Sequence, residues 1–190
     1  MRQDKGKLIL ISGLPGSGKS TLGRWISKYY KIPYIDYDTV IQPFMTEIYG
    51  QFYQGKAYDE FCAIWRNCCY RTFWDIVAEQ LHAGISVAAS APLSAEAGQA
   101  DFFQRMKRNY ELEAEVLSIV LEVPEKTLYE RISERREPRD EQKLKDWERY
   151  FSKQLRLIRW DPDDQIIYHA SGDTGADKKI KEFLDEGTLR

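Results

Sequence analysis

The sequence lacks any apolar run that approaches the ~20 residues of a membrane-spanning helix, and it lacks an excess of charge of one sign. Its 28 basic and 30 acidic residues leave a formal net charge of −2, which argues against a general affinity for nucleic acid or for membrane surfaces. The N-terminal six residues have no apolar stretch of their own, so we expect no signal peptide. Internal repeats, low-complexity tracts and Gly/Ser-rich linkers are also missing. We therefore predict a single domain over residues 1–190.

Cysteine and histidine are scarce. The three cysteines, Cys62, Cys68 and Cys69, lie in one helix-like segment, and neither their odd number nor their spacing suggests a metal site. Reduced thiols are typical of the cytoplasm, so we expect a cytoplasmic protein whose cysteines are mainly core residues. The two histidines, His82 and His169, are isolated in the sequence and are interpreted as structural.

The strongest pattern present is a P-loop of the Walker A type. An apolar run at residues 8–11 predicts a buried strand, and Gly13, Gly18, Lys19 and Ser20 then match G-x-x-x-x-G-K-[ST]. A helix is predicted to begin at about Lys19, so that its N-terminus and the loop N–H groups converge on phosphate oxygens. Lys19 would reach the β- and γ-phosphates, and the Ser20 hydroxyl suits Mg²⁺. The expected nucleotide-binding residues of the loop are Gly13, Pro15, Gly16, Ser17, Gly18, Lys19, Ser20 and Thr21.

Further apolar runs alternate with helical patterns along the rest of the chain. Four more strands are predicted, at residues 34–36, 85–89, 116–123 and 166–168, and a closing helix is predicted over 176–184. Strands that alternate with helices indicate a parallel sheet covered on both faces.

A long insertion, residues 39–82, separates the second and third predicted strands. Its second half has apolar residues three or four apart, which is helical periodicity. Two interpretations of its aromatic side chains stay open: they pack the core of a helical lobe, or a few line a substrate pocket. Core packing alone explains most of them. The aromatic residues concerned are Phe44, Tyr49, Phe52, Tyr53, Tyr58, Phe61, Trp65, Tyr70, Phe73 and Trp74.

Two carboxylates, Asp36 and Asp38, follow the second predicted strand on either side of Tyr37. Ligands of open α/β sheets bind beyond the carboxyl ends of the strands, and residues i and i+2 of an extended chain point the same way. Both carboxylates are therefore expected to face the P-loop cleft. One could hold Mg²⁺, and the other could accept a proton from a hydroxyl that attacks the γ-phosphate. The alternative is that Asp38 caps the following helix.

The third predicted strand ends without a carboxylate, at Ser90. P-loop ATPases usually place a metal-binding Asp at such a strand end, so its replacement by a hydroxyl favours a kinase over a motor or switch. The turn at residues 90–93 is expected either to face the substrate or to be an ordinary turn.

Residues 34–41, together with the P-loop before them, resemble the D-x-D segment that follows the second strand of shikimate kinase. Gluconate kinase and chloramphenicol phosphotransferase are similar small-molecule kinases. The resemblance implies a three-layer α/β P-loop fold with a five-stranded parallel sheet in the order 2-3-1-4-5. It also implies that Asp36 joins Ser20 at the metal and that Asp38 is the base. Shikimate itself is not expected as the substrate, because residues 88–93 replace the Gly-Gly-Gly turn of shikimate kinases.

An arginine-rich segment, residues 131–141, resembles the lid of nucleoside-monophosphate-kinase-like enzymes. Arg131 and Arg135 are four residues apart on one predicted helix face, and Pro138 is expected to end that helix just before it, leaving Arg139 on a loop. Such arginines can neutralise charge that develops during phosphoryl transfer. The alternative is a solvated helix with ordinary surface ion pairs.

The function predicted from these features is ATP-dependent, Mg²⁺-dependent phosphorylation of a hydroxyl on a small molecule, by a monomer or homodimer. A kinase acting on nucleotides or nucleic-acid ends, and a nucleotide-binding regulatory module without turnover, are the alternatives. The segment 170–174 resembles a loop that contacts adenine in the same families. The expected catalytic residues are Lys19, Asp38, Arg135 and Arg139, and the expected nucleotide contacts outside the P-loop are Arg131, Arg136, Ser171 and Gly172.

Overall fold

The computed structural model describes residues 5–55, 57–136, 140–154, 160, 162–169 and 175–185. The strands in these ranges are β1 (Lys7–Gly13), β2 (Tyr34–Asp36), β3 (Val87–Ser90), β4 (Glu115–Glu122) and β5 (Asp164–His169). The helices are α1 (Lys19–Tyr30), α2 (Tyr37–Phe52), α3 (Tyr58–His82), α4 (Phe102–Asn109), α5 (Glu125–Arg135), α6 (Glu141–Lys145), α7 (Trp147–Gln154) and α8 (Gly175–Asp185).

The five strands form one parallel sheet in the order β2-β3-β1-β4-β5, which confirms the predicted fold class. The register aligns Asp36 of β2 with Ser90 of β3, and Ser90 with Ile11 of β1. Parallel strands end at a common edge, so the P-loop, the carboxylate after β2 and the hydroxyl after β3 meet there.

The central strand β1 divides the core into two layers. Leu8 and Leu10 pack on one face with α3 and α4, whereas Ile9 and Ile11 pack on the other face with α1 and α8. All four side chains have no exposed surface. Side chains of a strand alternate between its faces, and this explains why the predicted strand is apolar at every position.

The insertion is a pair of helices with its own small core. The first half of α3 packs Phe61 and Cys69 against Ile41 and Met45 of α2. The second half of the same helix, from Phe73 onward, belongs to the core beside the sheet. One 25-residue helix thus ties the insertion to the sheet.

Several local predictions need correction. Cys69 is buried but Cys68 is exposed, so the expectation of core cysteines is wrong for Cys68. Helix α5 ends at Arg135, three residues before Pro138, because Arg136 takes a left-handed conformation with a φ of 50°.

No helix within the described parts of the chain is long and apolar enough to cross a membrane.

Candidate active site

The P-loop turns sharply between β1 and α1. Gly16 and Gly18 have φ values of 81° and 98°, which are left-handed conformations that glycine adopts without strain. Gly18 is the N-cap of α1, and helix formation begins at Lys19 as predicted. The first turn of α1 has no acidic residue, so the positive end of the helix is left for an anion.

Lys19 folds back over this loop. Its Nζ donates hydrogen bonds to the carbonyl oxygens of Gly13 and Leu14, at 2.8 and 3.1 Å. The ammonium group therefore lies over the loop, where a phosphate would be bound.

Asp36 is the hub of a hydrogen-bond network at the ends of β2 and β3. It is the N-cap of α2: its Oδ1 accepts from the backbone N–H of Thr39 at 3.0 Å. The hydroxyl of Ser20 donates to its Oδ2 at 2.7 Å. Asp36, not Asp38, is thus the capping residue, and the proposed capping role of Asp38 is wrong. Asp38 lies in the first helical turn, so the two carboxylates are not related as neighbours in an extended strand.

Tyr34 and Ser90 complete this network, and sequence analysis assigned no role to Tyr34. The Tyr34 hydroxyl donates to Asp36 Oδ2 at 2.6 Å and lies 2.7 Å from Ser90 Oγ, which itself donates to the same carboxylate oxygen at 3.1 Å. The available signal was spacing, since Tyr34 precedes Asp36 by two residues on the same face of β2.

These contacts set the protonation states of the network. Burial raises the pKa of Asp36, but hydrogen bonds from Tyr34, Ser20, Thr39 and Ser90 outweigh it, and the pKa is lowered overall. Burial, and then the bond to Asp36, raise the pKa of Tyr34. At neutral pH the site therefore holds an ionised carboxylate beside a neutral phenol.

Three cations approach the P-loop from α5 and α6. Arg131 donates to the Gly16 carbonyl at 3.1 Å, which supports the prediction that it lies beside the loop. Arg135 Nε and Lys143 Nζ bind opposite oxygens of Asp140, at 2.5 and 2.6 Å. Sequence analysis missed Lys143, because its position beside Arg135 depends on the packing of α6 against α5.

Asp140 is fully buried beneath these two cations. Burial raises its pKa, but the bonds from Arg135 and Lys143 lower it by more, so the carboxylate is ionised. The buried carboxylate of Asp140 thus fixes the positions of the Arg135 and Lys143 side chains.

A cavity of about 1360 Å³ collects these groups. It is lined by residues 15–22, by the end of β3, by Arg131, Arg135 and Lys143, and by one face at the start of α2 with its N-cap, namely Asp36, Tyr37, Asp38, Thr39, Gln42, Pro43 and Thr46. Asp36 and Asp38 both line it. None of the ten insertion aromatics named above lines it, although the structure describes all ten, so core packing is favoured for eight of them, whereas Phe44 and Phe52 are exposed.

Some predicted contacts do not reach the cavity or cannot be placed. Gly13 contributes its carbonyl to Lys19 but does not line the cavity, and neither does the exposed Arg136. Arg139, Ser171 and Gly172 lie outside the described residues.

The donor set fits a magnesium–nucleotide. Ser20 and Asp36 offer one hydroxyl and one ionised carboxylate at the mouth of the P-loop. Over the described residues no group of three or more His, Cys, Asp or Glu could form a complete metal site. Mg²⁺ does not need one, since it is usually held by one or two protein oxygens together with waters and phosphates.

Comparison with known proteins gives a family and a fold. The sequence profile of a family described as AAA domain (AAA_33) matches residues 8–154, more than half of the chain. No curated protein matches the sequence significantly.

Three solved structures have the same architecture. A candidate kinase from Chloroflexus aurantiacus J-10-fl matches with a TM-score of 0.67 at 17% identity, covering 98% of this chain and 100% of the other. Shikimate kinase from Aquifex aeolicus VF5 matches with a TM-score of 0.55 at 16% identity, covering 93% and 94%. A gluconokinase from Sinorhizobium meliloti 1021 matches with a TM-score of 0.52 at 15% identity, covering 98% and 96%. At these identities the likeness establishes the fold.

Proposed function

This chain belongs to the AAA domain family AAA_33 and has the fold of the P-loop small-molecule kinases predicted from its sequence, and on that premise we propose that it transfers a phosphoryl group from ATP to a hydroxyl of a small molecule. The observation that carries the proposal is the cavity, which brings the P-loop, two carboxylates and three cations of α5 and α6 together. Phosphoryl transfer needs these three kinds of group in one place.

The triphosphate binds on the cationic side of the cavity. The P-loop amides and the N-terminus of α1 take the β- and γ-phosphates, and Lys19 moves its hydrogen bonds from the loop carbonyls to phosphate oxygens. Arg131, Arg135 and Lys143 balance the charge that builds up on the transferred group. The segment 131–141 acts as a lid in this proposal, with Arg131 and Arg135 as its described cations at the cavity and Lys143 of α6 beside them.

Ser20 and Asp36 would hold Mg²⁺. The ion, when bound, neutralises the charge on the β- and γ-phosphates. The chain's own part is to keep Asp36 ionised and aimed at Ser20, which the donors Tyr34 and Ser90 do.

Asp38 is the base. It lies in the first turn of α2, on the cavity wall, and α2 follows β2, whereas α5 follows β4 on the other side of β1. Its carboxylate accepts the proton of the acceptor hydroxyl as that oxygen bonds to the γ-phosphorus. The bond from this phosphorus to the β–γ bridging oxygen breaks, and its electron pair leaves with ADP.

An experiment on Asp38 separates an enzyme from a binding module. Asp38→Asn keeps the size of the side chain but removes its charge and its proton-accepting role. We expect the turnover number to fall roughly 10²–10⁴-fold, while ATP affinity, measured by calorimetry, barely changes. Asp36→Asn should instead weaken Mg²⁺ dependence and nucleotide binding together.

The matched control is Asp75→Asn, on the exposed surface of α3, which should leave both quantities unchanged. If Asp38→Asn turned over at the wild-type rate, the base would lie elsewhere. If the wild-type protein bound ATP but phosphorylated no acceptor, including nucleic-acid 5′ ends, a regulatory module would be the better description.

A further inference from the structure

We propose that the acceptor is an uncharged or cationic hydroxy compound, such as a sugar or an amino alcohol, and not one that bears a carboxylate or phosphate. This inference rests on the proposed function and concerns the same cavity. It names the class of compound that the wall opposite the phosphates can accept.

The charges that line the cavity are divided between two sides. The side formed by the P-loop, α1, α5 and α6 carries the cations, which are Lys19, Arg24, Arg131, Arg135 and Lys143, and one further carboxylate, Asp177 of α8, lines the cavity away from α2. The side formed by α2 and the end of β3 carries Asp36 and Asp38. Among the described residues of this second side, hereafter the acceptor wall, there is no lysine or arginine.

The groups on the acceptor wall suit hydroxyls and ammonium ions. Asp38, Gln42 and Thr46 are spaced four residues apart on α2 and so share one face of the helix. The Gln42 amide donates to Thr46 Oγ1 and to the Tyr58 hydroxyl, each at 3.2 Å, which fixes its orientation. Gln42 and Thr46 are neutral side chains of the kind that bind sugar-like hydroxyls.

Pro43 removes one backbone donor from the helix on this wall. A proline inside a helix has no N–H to donate to the carbonyl four residues before it, here that of Thr39. Thr39 and Pro43 both line the cavity. A backbone carbonyl without its usual helical donor favours a ligand that donates a hydrogen bond, and a carboxylate cannot donate one.

Arg66, on the neighbouring helix α3, already has an anionic partner. Its guanidinium binds both carboxylate oxygens of Glu96, at 2.7 and 2.9 Å, and lies 4.2 Å from the centre of the Tyr70 ring. It does not line the cavity. An acidic acceptor would therefore face the carboxylate of Asp38, and the described residues of the acceptor wall offer it no lysine or arginine to bind.

The test is a binding panel of matched triplets in the presence of Mg²⁺ and a non-hydrolysable ATP analogue. Each triplet has one carbon skeleton (hexose, pentose, cyclohexane or aryl) in a neutral alcohol form, an amino form and a carboxylate form. Affinity is measured by saturation-transfer NMR and calorimetry, so no turnover is needed. In every triplet that binds, we expect the carboxylate to be weaker by about tenfold or more, because like charges discriminate against the wrong ligand.

A positive charge placed on the acceptor wall should weaken this preference. Thr46→Arg puts a cation on the wall two helical turns from Asp38, and Gln51→Arg puts the same charge on α2 outside the cavity. We expect Thr46→Arg to narrow the gap between neutral and carboxylate compounds by about tenfold and Gln51→Arg to leave it unchanged. Thr46→Lys tests the same point with a different side chain.

The inference is overturned if a carboxylate binds as tightly as its neutral partner, if no neutral or amino compound binds, or if Thr46→Arg behaves like Gln51→Arg. Failure of the proposed function looks different. In that case the triplet preference is observed, but none of the bound alcohols is phosphorylated when ATP replaces the analogue.

Discussion

The ring of Tyr34 lies against the backbone of α1 at Gly23 and occupies the space that any Cβ at Gly23 would need. Gly23 is buried in the second turn of α1, and Tyr34 is the first residue of β2. Because Gly23 has no side chain, the Tyr34 ring can lie against α1, and from there its hydroxyl binds Asp36.

We predict that Gly23→Ala destabilises the protein, because the new methyl group must displace the Tyr34 ring. Overpacking of this kind costs about 1–3 kcal/mol, and thermal unfolding measures it. The matched control is Gly50→Ala on α2, where an added Cβ meets nothing within 4 Å. That substitution should stabilise the protein by roughly 0.5–1 kcal/mol through helix propensity. Equal effects of the two alanines would contradict the packing argument.

We predict that Tyr34→Phe lowers the free energy of unfolding by about 1–3 kcal/mol at neutral pH, because it removes a donor from a buried carboxylate. The lowered pKa of Asp36 means that its ionised form stabilises the fold above the ordinary carboxyl pKa. This contribution is lost as the pH falls through the folded-state pKa. The difference between wild type and Tyr34→Phe should therefore shrink in acid, as urea unfolding at several pH values would show.

Tyr30→Phe serves as the control for that experiment. The Tyr30 hydroxyl donates to the backbone carbonyl of Asp177 at 3.1 Å, and a carbonyl does not titrate. The effect of Tyr30→Phe should be small and should not change over the same acid range. A pH-independent effect of Tyr34→Phe would mean that the phenol does not act through Asp36.

We predict that Asp140→Asn destabilises the protein and weakens nucleotide binding together, because Arg135 and Lys143 lose the buried anion that fixes them. The loss of stability should be about 1–3 kcal/mol at neutral pH. Because the pKa of Asp140 is lowered in the fold, this loss should also decrease as the pH falls through that pKa. Calorimetry of ATP binding and urea unfolding measure the two effects.

Asp146→Asn is the control for the buried anion. Asp146 is exposed, and its carboxylate lies 3.9 Å from the guanidinium of Arg149. Such a surface ion pair contributes little to stability. If Asp140→Asn left ATP affinity at the wild-type value, Arg135 and Lys143 would not be phosphate ligands that depend on Asp140.

We predict that Lys19→Ala reduces phosphoryl transfer roughly 100–1000-fold, as expected for removal of one preorganised cation, while the fold survives. Lys19 donates to the loop carbonyls of Gly13 and Leu14 and is only partly buried, so its loss opens no core cavity. Lys28→Ala, in the last turn of the same helix, should leave transfer unchanged. Wild-type turnover by purified Lys19→Ala would rule out the assigned role of the P-loop.

The sheet and the P-loop were predictable because each depends on residues close together in sequence. Apolar runs mark the strands, and the glycines with Lys19 mark the loop. Element ends were less predictable: β3 begins at Val87 because Ile85 still bonds to Gln80 in the turn that closes α3. Such turns are decided by tertiary hydrogen bonds.

The start of α2 shows why the site was only partly predictable. Both Asp36 and Asp38 are acceptable N-caps by residue type. The choice falls on Asp36 because donors from other elements, Ser20 of α1 and Ser90 of β3, also converge on it. The meeting of Arg135 with Lys143 at Asp140 likewise depends on the packing of α6 beside α5, which a sequence pattern does not encode.

The two faces of α2 separate folding from recognition. Ile41 and Met45 fill the core shared with α3, whereas Gln42 and Thr46, one residue later in each turn, line the cavity. Substitutions at Gln42 and Thr46 can alter what the acceptor wall binds without disturbing Ile41 and Met45 in the core. A lineage of such proteins could therefore change its acceptor in a few steps while keeping its sheet and P-loop intact. Two members with the same fold would then differ in substrate at these positions first.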